Sequence, residues 1–269
     1  SPPGQPRRFS QALVQKSLRG FLLTLWNCYS FFVTYAETEW HRLGQEQIAF
    51  DALPPLDQWI RGVLARLVAD TTARLEAYDL TAAARGIGDF VDTLSNWYIR
   101  RCRDRFWASL DGPEGQIGGA VERDKRAAYQ TLRSCLVTVA QLMAPFAPCV
   151  SEELWQHPQR PVQPSAPESV HLAVWPQKAD AALLEATEGI CADMALVLRI
   201  VSLGRAARMD HNLKVRQPLS KVLVQVPNAA VRQAALRYEA VIRDELNVEK
   251  VQLVEGGEQL VSYTLRPNL

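Results

Sequence analysis

Net charge is almost absent from this chain: 30 Lys and Arg stand against 29 Asp and Glu in 269 residues, a formal +1. Bulk composition therefore selects no polyanionic partner, and any attraction to nucleic acid must come from local clusters. Ligands for metals and pairs for disulfides are also scarce. The five cysteines, Cys28, Cys102, Cys135, Cys149 and Cys191, are odd in number, widely spaced and without a CxxC pair. That pattern speaks against a disulfide framework or a zinc site and fits free thiols in a reducing, cytoplasmic setting. The four histidines, His41, His157, His171 and His211, are scattered and form no HExxH. No apolar signal core follows the opening Ser1-Pro2-Pro3-Gly4-Gln5-Pro6-Arg7-Arg8, so no secretion signal is expected. The uncharged run from Gly20 to Ala36 falls short of the roughly 20 residues that a spanning helix needs. It also carries Thr24, Asn27, Ser30 and Thr34, so a buried helix is expected and no membrane partner.

Catalytic signatures are missing as well. There is no GxSxG elbow. Gly86-Ile87-Gly88 lacks a third glycine and a preceding strand, so it reads as helix packing and not a dinucleotide loop. The glycines at 112, 115, 118 and 119 lack the Lys-Ser/Thr ending of a phosphate loop. Glu152 and Glu153 are adjacent on a predicted helix and point about 100° apart, which suits first-turn residues better than an acid–base pair. On residues alone the chain is a binding module.

What is present is a chain 48% hydrophobic, ample for a core, with helical periodicity over its first two-thirds. One helix is expected over residues 9 to 37, with Asn27, Ser30 and Thr34 in a narrow polar stripe. A second runs from about Leu56 to Tyr78, with Ile60, Val63, Leu67 and Leu75 inward. A third is capped by Thr81 and continues to about Ser109. A fourth spans about 122 to 144 on the stripe Tyr129, Leu132, Leu136, Val139 and Met143. Pro148 opens a short helix to about Gln156. A proline-rich loop covers 158 to 167. Asp180 caps a long helix to about Arg208, with Leu183, Thr187, Ile190, Met194, Val197 and Val201 on one stripe. After Pro218 the period changes. Lys221 to Val226 alternates as a strand, Asn228 caps a helix to about Leu246, and strands over 248–254 and 259–265 join across Gly256-Gly257 as a hairpin.

The most distinctive segment is Leu94-Ser95-Asn96-Trp97-Tyr98-Ile99-Arg100-Arg101-Cys102-Arg103-Asp104-Arg105-Phe106-Trp107. On a helical wheel Val91, Tyr98, Ile99, Cys102 and Phe106 share the core side. Trp97, Arg100, Arg101, Arg103, Asp104 and Trp107 share the other, and four Arg against one Asp give the segment a local +3. Guanidiniums that meet phosphates, beside indoles that stack on unpaired bases, make a platform for RNA. Packing of the same Arg stems and Trp rings on a neighbouring helix is the competing reading. A second cluster, Arg205, Arg208, Asp210, His211, Lys214 and Arg216, is also +3 with His neutral. Its place at a helix C-terminus has a dipole explanation of its own. Asn27 reads either as a satisfied core amide or as a polar contact point.

Several strings, in order, resemble the region after the catalytic core of isoleucyl-tRNA synthetases, class Ia enzymes of the isoleucine/valine/leucine/methionine group. They are Leu25-Trp26-Asn27-Cys28-Tyr29-Ser30-Phe31-Phe32, Leu56-Asp57-Gln58-Trp59-Ile60, the WYIRRCRDRFW segment, Lys125-Arg126-Ala127-Ala128-Tyr129-Gln130-Thr131-Leu132, and Leu142-Met143-Ala144-Pro145-Phe146-Ala147-Pro148. Ser169-Val170-His171-Leu172 with Trp175-Pro176, and Lys214-Val215-Arg216-Gln217-Pro218-Leu219, complete the set. The likeness covers essentially the whole chain, and Cys28 and Cys102 are its small departures. It implies a mainly α fold: an anticodon-binding helical bundle over residues 1–178, a connecting helix and basic loop over 179–214, and a small α/β unit over 215–269. It implies binding of the tRNA(Ile) anticodon stem-loop through Asn27, Trp97, Arg100, Arg101, Arg103, Trp107, Lys214 and Arg216, with the enzyme's own catalytic core as the other partner. The HIGH and KMSKS strings are not in these residues, nor is an editing domain or the family's zinc-binding cysteines, so the resemblance implies no catalysis and no cofactor here. ATP and Mg, with zinc, are implied for the full-length ligase. The same domain of a valyl or leucyl enzyme, and a helical protein-interaction module without RNA binding, stay open as alternatives.

Overall fold

The computed structural model describes residues 10–43, 47–111, 119–158, 165–179 and 181–255, with backbone alone at 37, 38 and 40–42. The chain divides into two compact units, Ser1–Thr187 and Glu188–Leu269. In the first, Ser10 caps α1 (Gln11–Ser17) by accepting the Leu13 N–H at 3.2 Å. A π-turn over Leu18–Leu22 joins it to α2 (Leu23–Leu43). The single helix expected over 9 to 37 is thus longer and interrupted, because the backbone locally shifts to i→i+5 bonding. α3 (Pro55–Glu76) starts with proline at its first position, where a missing N–H costs nothing.

α4 (Leu80–Thr93) is capped by Asp79 and not by Thr81. Tyr78 turns the chain at φ 58°, and the Asp79 carboxylate then reaches the Ala82 N–H at 3.0 Å, leaving Thr81 inside the first turn. Gly86 and Gly88 sit within α4, as packing residues should. A second π-turn, Leu94–Ile99, leads into α5 (Arg100–Trp107). It has a use in the core. Leu94, Tyr98, Cys102 and Phe106 are all buried, at steps of four residues. A uniform α-helix would fan three such steps over about 120°, and the wider turn compensates.

α6 (Ala120–Met143) is the centre of this unit, packed on α2, α3, α5 and α7 (Pro148–Gln156). Its expected stripe, Tyr129, Leu132, Leu136, Val139 and Met143, is fully buried. Ala127, Ala128, Cys135, Ala140 and Leu142 are buried as well, so the helix is enclosed on most sides. Charges inside it are therefore paired. Arg126 meets Glu122 one turn earlier. Lys125 Nζ donates to Glu39 at 2.7 Å and to the Ala108 carbonyl at 2.8 Å, while Tyr129 OH donates to the other Glu39 oxygen at 2.8 Å.

The deepest polar group is Asp57, whose side chain is 0% exposed. Arg105 pairs with it at 2.8 Å and reaches Asp124 at 3.0 Å, and the Tyr98 hydroxyl donates to the other Asp57 oxygen. Burial pushes the Asp57 carboxyl up, and Arg105 and the hydrogen bonds work against it. Burial also opposes charge on Arg105, but Tyr98 and Asp57 outweigh that and hold its proton more firmly. Burial, then Asp57, drives the Tyr98 hydroxyl far up, so it remains a donor. The loop after α7 is latched by Glu152, which accepts from Ser169 Oγ at 2.8 Å and Val170 N at 3.0 Å, and by Trp155 Nε1, which donates to the Pro167 carbonyl at 3.0 Å.

α8 (Ala181–Asp210) begins in the first unit and continues in the second. Gly62 is needed where it starts: a β-carbon there would fall 2.6 Å from the Thr187 Cβ. Its stripe is as expected, with Thr187, Met194, Val197 and Val201 buried and Leu183 and Ile190 half-buried. The second unit continues with β1 (Leu219–Gln225), α9 (Ala229–Arg237), α10 (Glu239–Leu246) and β2 (Val248–Val254). β1 and β2 pair in parallel, Val222 opposite Val251 and Val224 opposite Leu253, so the two helices form the crossover. Asn228 caps α9 as expected, but the single helix to Leu246 breaks at Tyr238. Asn247 ends α10 in the left-handed region, φ 47°, which Asn tolerates. The Asp180 cap, the Gly256-Gly257 hairpin, the strand over 259–265, the phosphate-loop-like glycines 112, 115 and 118, and most of the loop over 158–167 lie outside the described residues.

Two measurements check this packing. Cys28, Cys102 and Cys135 are buried, and burial lifts the first two thiols to about 11 and the third higher, whereas Cys149 is exposed and Cys191 half-buried. Timed alkylation followed by mass spectrometry should label Cys149 first, Cys191 more slowly and the other three only on unfolding; fast native labelling at Cys28 would contradict the core described. Arg105→Met should lower stability by about 3 to 5 kcal/mol by stranding Asp57, while Arg103→Ala, two residues away and exposed, should stay within about 0.5 kcal/mol. Equal urea midpoints for the two variants would show that Arg105 is not the internal partner.

Candidate nucleic-acid interface

The segment from Leu94 to Trp107 separates into the two sides expected. Val91, Tyr98, Ile99, Cys102 and Phe106 are buried. Arg100, Arg103, Asp104 and Trp107 are exposed, and Trp97 and Arg101 half-buried. The local charge is smaller than +3. Arg105 turns inward to Asp57 and Asp124, so the outward side holds Arg100, Arg101 and Arg103 against Asp104, a net +2. The Arg100 guanidinium carbon lies 5.9 Å from the centre of the Trp97 ring, and Arg100 Nε donates to the Asn96 carbonyl at 2.8 Å. One indole therefore leans on a cation instead of standing alone.

Trp107 closes α5 with its ring 54% exposed. Its Nε1–H donates to the Tyr35 hydroxyl of α2 at 2.8 Å. Beneath it Phe31 sits 5.0 Å from both Tyr35 and Phe106, and Phe106 lies 4.8 Å from Tyr129. Lys125 holds the Ala108 carbonyl just past the end of α5. Trp107 is thus an outward ring on a rigid base. Tyr35 was not among the residues singled out from the sequence. The signal that could have found it was spacing: Asn27, Phe31 and Tyr35 follow at four-residue steps along one side of α2.

Asn27 is exposed, not a core amide. Ser30 and Thr34 of the same polar stripe are half-buried and exposed, while Leu25, Cys28, Tyr29 and Phe32 take the inner side. Contacts through Phe31–Phe106 and Tyr35–Trp107 lay α2 beside α5, so the Asn27 stripe and the Trp107 end belong to neighbouring helices.

The second basic cluster is mostly structural. Arg208 is buried, and its guanidinium donates to the carbonyls of Lys214, Gln217, Leu246 and Asn247 at 2.6 to 3.1 Å. Arg205 pairs with Glu245. Lys214 and Arg216 remain exposed, with Asp210 exposed beside them, so the expected +3 reduces to +1. They lie in the second unit, whereas Asn27, Trp97, Arg100, Arg101, Arg103 and Trp107 lie in the first.

Among the described residues no group of three or more His, Cys, Asp or Glu is placed to hold a metal, and no helix is long and apolar enough to cross a membrane. A groove of about 860 Å³ lies elsewhere in the first unit, between Gly20-Phe21, α4 and Pro145-Phe146. Its charged lining is Arg85 against Asp89 and Asp92, so it is not a basic cleft.

Residues 57–223 match the family model described as the anticodon-binding domain of tRNA ligase. The chain is 44% identical over its whole length to isoleucine–tRNA ligase of Thermus thermophilus, of which it covers 24%. It is 44% identical over 96% of its length to that of Dehalococcoides mccartyi, again 24% of the relative, and 41% identical over its whole length to that of Deinococcus radiodurans, covering 23%. It thus spans about a quarter of the length of the curated relatives it matches. With a helical scaffold that turns arginines and indoles outward and a match over most of its residues, this chain belongs to the family of tRNA-ligase anticodon-binding domains.

Proposed function

We propose that the chain is the anticodon-binding part of an isoleucine–tRNA ligase and grips the anticodon stem-loop of tRNA(Ile). The observation that carries this reading is the outward row Arg100, Arg103 and Trp107 on α5, set on a core that consumes the neighbouring Arg105. Guanidiniums at that spacing neutralise successive phosphates, and the indole face accepts a base that the loop leaves unstacked. Asn27 adds an exposed amide with both a donor and an acceptor, able to address a base edge. Lys214 and Arg216 add phosphate contacts from the second unit. The names of the relatives support isoleucine as the amino acid and the ligase as the whole enzyme.

In that reading the domain's work is positional. Holding the anticodon end fixes where the acceptor end falls, and binding energy from a remote contact is spent on orientation at the reacting centre. Aminoacylation itself, with ATP and Mg, belongs to a catalytic core outside these residues, as does any zinc. A cytoplasmic site of action follows from the same reading.

The test is titration of this chain with tRNA(Ile) and with the same RNA carrying a swapped anticodon, at two salt concentrations. A preference for the native anticodon is expected. Replacing Arg100 and Arg101 by Ala should weaken binding and flatten the salt dependence by roughly 0.7 to 0.9 log units per log unit of salt for each phosphate that is no longer neutralised. Unchanged affinity and slope in that double variant would remove the α5 face from the interface.

A further inference from the structure

We propose that Tyr35 is a positioning residue for base stacking: by accepting the Trp107 indole N–H, it fixes the ring that an unpaired nucleobase stacks upon. The inference rests on the RNA-binding reading above and adds to it a residue and a division of labour.

The geometry is specific. An exposed tryptophan at the end of a helix ordinarily has rotamer freedom, and ordering it on binding costs affinity. Here the 2.8 Å bond to Tyr35 removes that freedom beforehand. Tyr35 is itself held by Phe31, at 5.0 Å, and Phe31 by Phe106, the residue before Trp107. The ring is therefore fixed from its polar edge by α2 and from its backbone by α5, with Lys125 holding the turn beyond. More than half of it still faces solvent.

The same bond has a chemical consequence. The indole has one hydrogen-bond donor and no acceptor. With that donor committed to Tyr35, Trp107 presents an aromatic face with no polar group able to address a base edge. Stacking on such a face tolerates any base. Discrimination between bases must then come from groups that keep free edges, and on this side of α2 the exposed amide of Asn27 is one. Trp107 supplies affinity for an unpaired base, and the neighbouring polar stripe supplies choice.

The experiment is a double-mutant cycle in the full 269-residue chain, with Tyr35→Phe, Trp107→Phe and both together. Phe at 107 keeps a stacking face but loses the donor, and Phe at 35 keeps the ring packed on Phe31 but loses the acceptor. The probe is an RNA hairpin with an anticodon loop of unpaired bases, and the control is the same stem as a fully paired duplex. Tyr35→Phe should weaken hairpin binding roughly three- to tenfold, leave duplex binding unchanged, and add nothing in the Trp107→Phe background. Losses that add independently, or that fall equally on hairpin and duplex, would show a merely structural role and overturn the proposal. So would an unchanged hairpin affinity in Tyr35→Phe. If that happens while the unaltered chain still binds the hairpin in a salt-dependent way, the RNA-binding reading stands and only the positioning role is lost. If the unaltered chain does not bind the hairpin at all, both are overturned.

Discussion

One buried charge arrangement organises the first unit: Asp57 on α3, met by Arg105 and by Tyr98. An ionised carboxylate in a core is tolerable only when paired and hydrogen-bonded, so α3 and α5 must keep their relative height and rotation. That constraint determines which way every other side chain of α5 faces. With Arg105 and Phe106 held inward, Arg103 and Trp107 have only solvent before them. The outward display of cations and an indole is therefore a consequence of the internal pair and not a separate feature of the surface. Lys125 extends the same logic, joining Glu39 of α2 to the carbonyl beyond Trp107.

The strings that carried the family resemblance divide along this line. LDQWI and WYIRRCRDRFW read as separate motifs in the sequence, yet they meet inside the protein, Asp57 on Tyr98 and Arg105. KRAAYQTL supplies the enclosed face of α6. SVHL is held by Glu152 through its serine hydroxyl and a backbone amide. KVRQPL lends carbonyls to Arg208. Most of these recognisable residues preserve a shape. Those that face outward, Asn27, Arg100, Arg103, Trp107, Lys214 and Arg216, are few and are set among them.

This division explains what could be read in advance. Helix starts were legible wherever a local signal fixes them, as Pro148 and Asn228 do, and the apolar stripes of α6 and α8 gave the core directly. Asp79 displaced Thr81 as a cap because the choice depends on the left-handed turn at Tyr78, which composition does not announce. The break at Tyr238 and the parallel crossover between β1 and β2 depend on tertiary packing in the same way. Arg103 and Arg105 are chemically identical and two residues apart. Only the positions of Asp57 and Asp124, one distant in sequence, decide that one is a surface charge and the other a core ion. The same ambiguity inflated both basic clusters, since Arg205 and Arg208 find Glu245 and backbone carbonyls that no local pattern shows.

Both helical stretches that carry the candidate contacts contain a π-turn, Leu18–Leu22 before α2 and Leu94–Ile99 before α5. A π-turn is in effect one residue more than a regular helix would use, and such insertions recur at functional positions. Deleting a single residue within Leu94–Ile99 would let the helix relax to regular winding but swing all of α5 by about 100°. Arg105 would leave Asp57, and Phe106 would turn toward water. The length of this stretch is therefore constrained as tightly as its composition. A related chain that is one residue shorter here would have to surrender either its internal ion pair or its outward tryptophan.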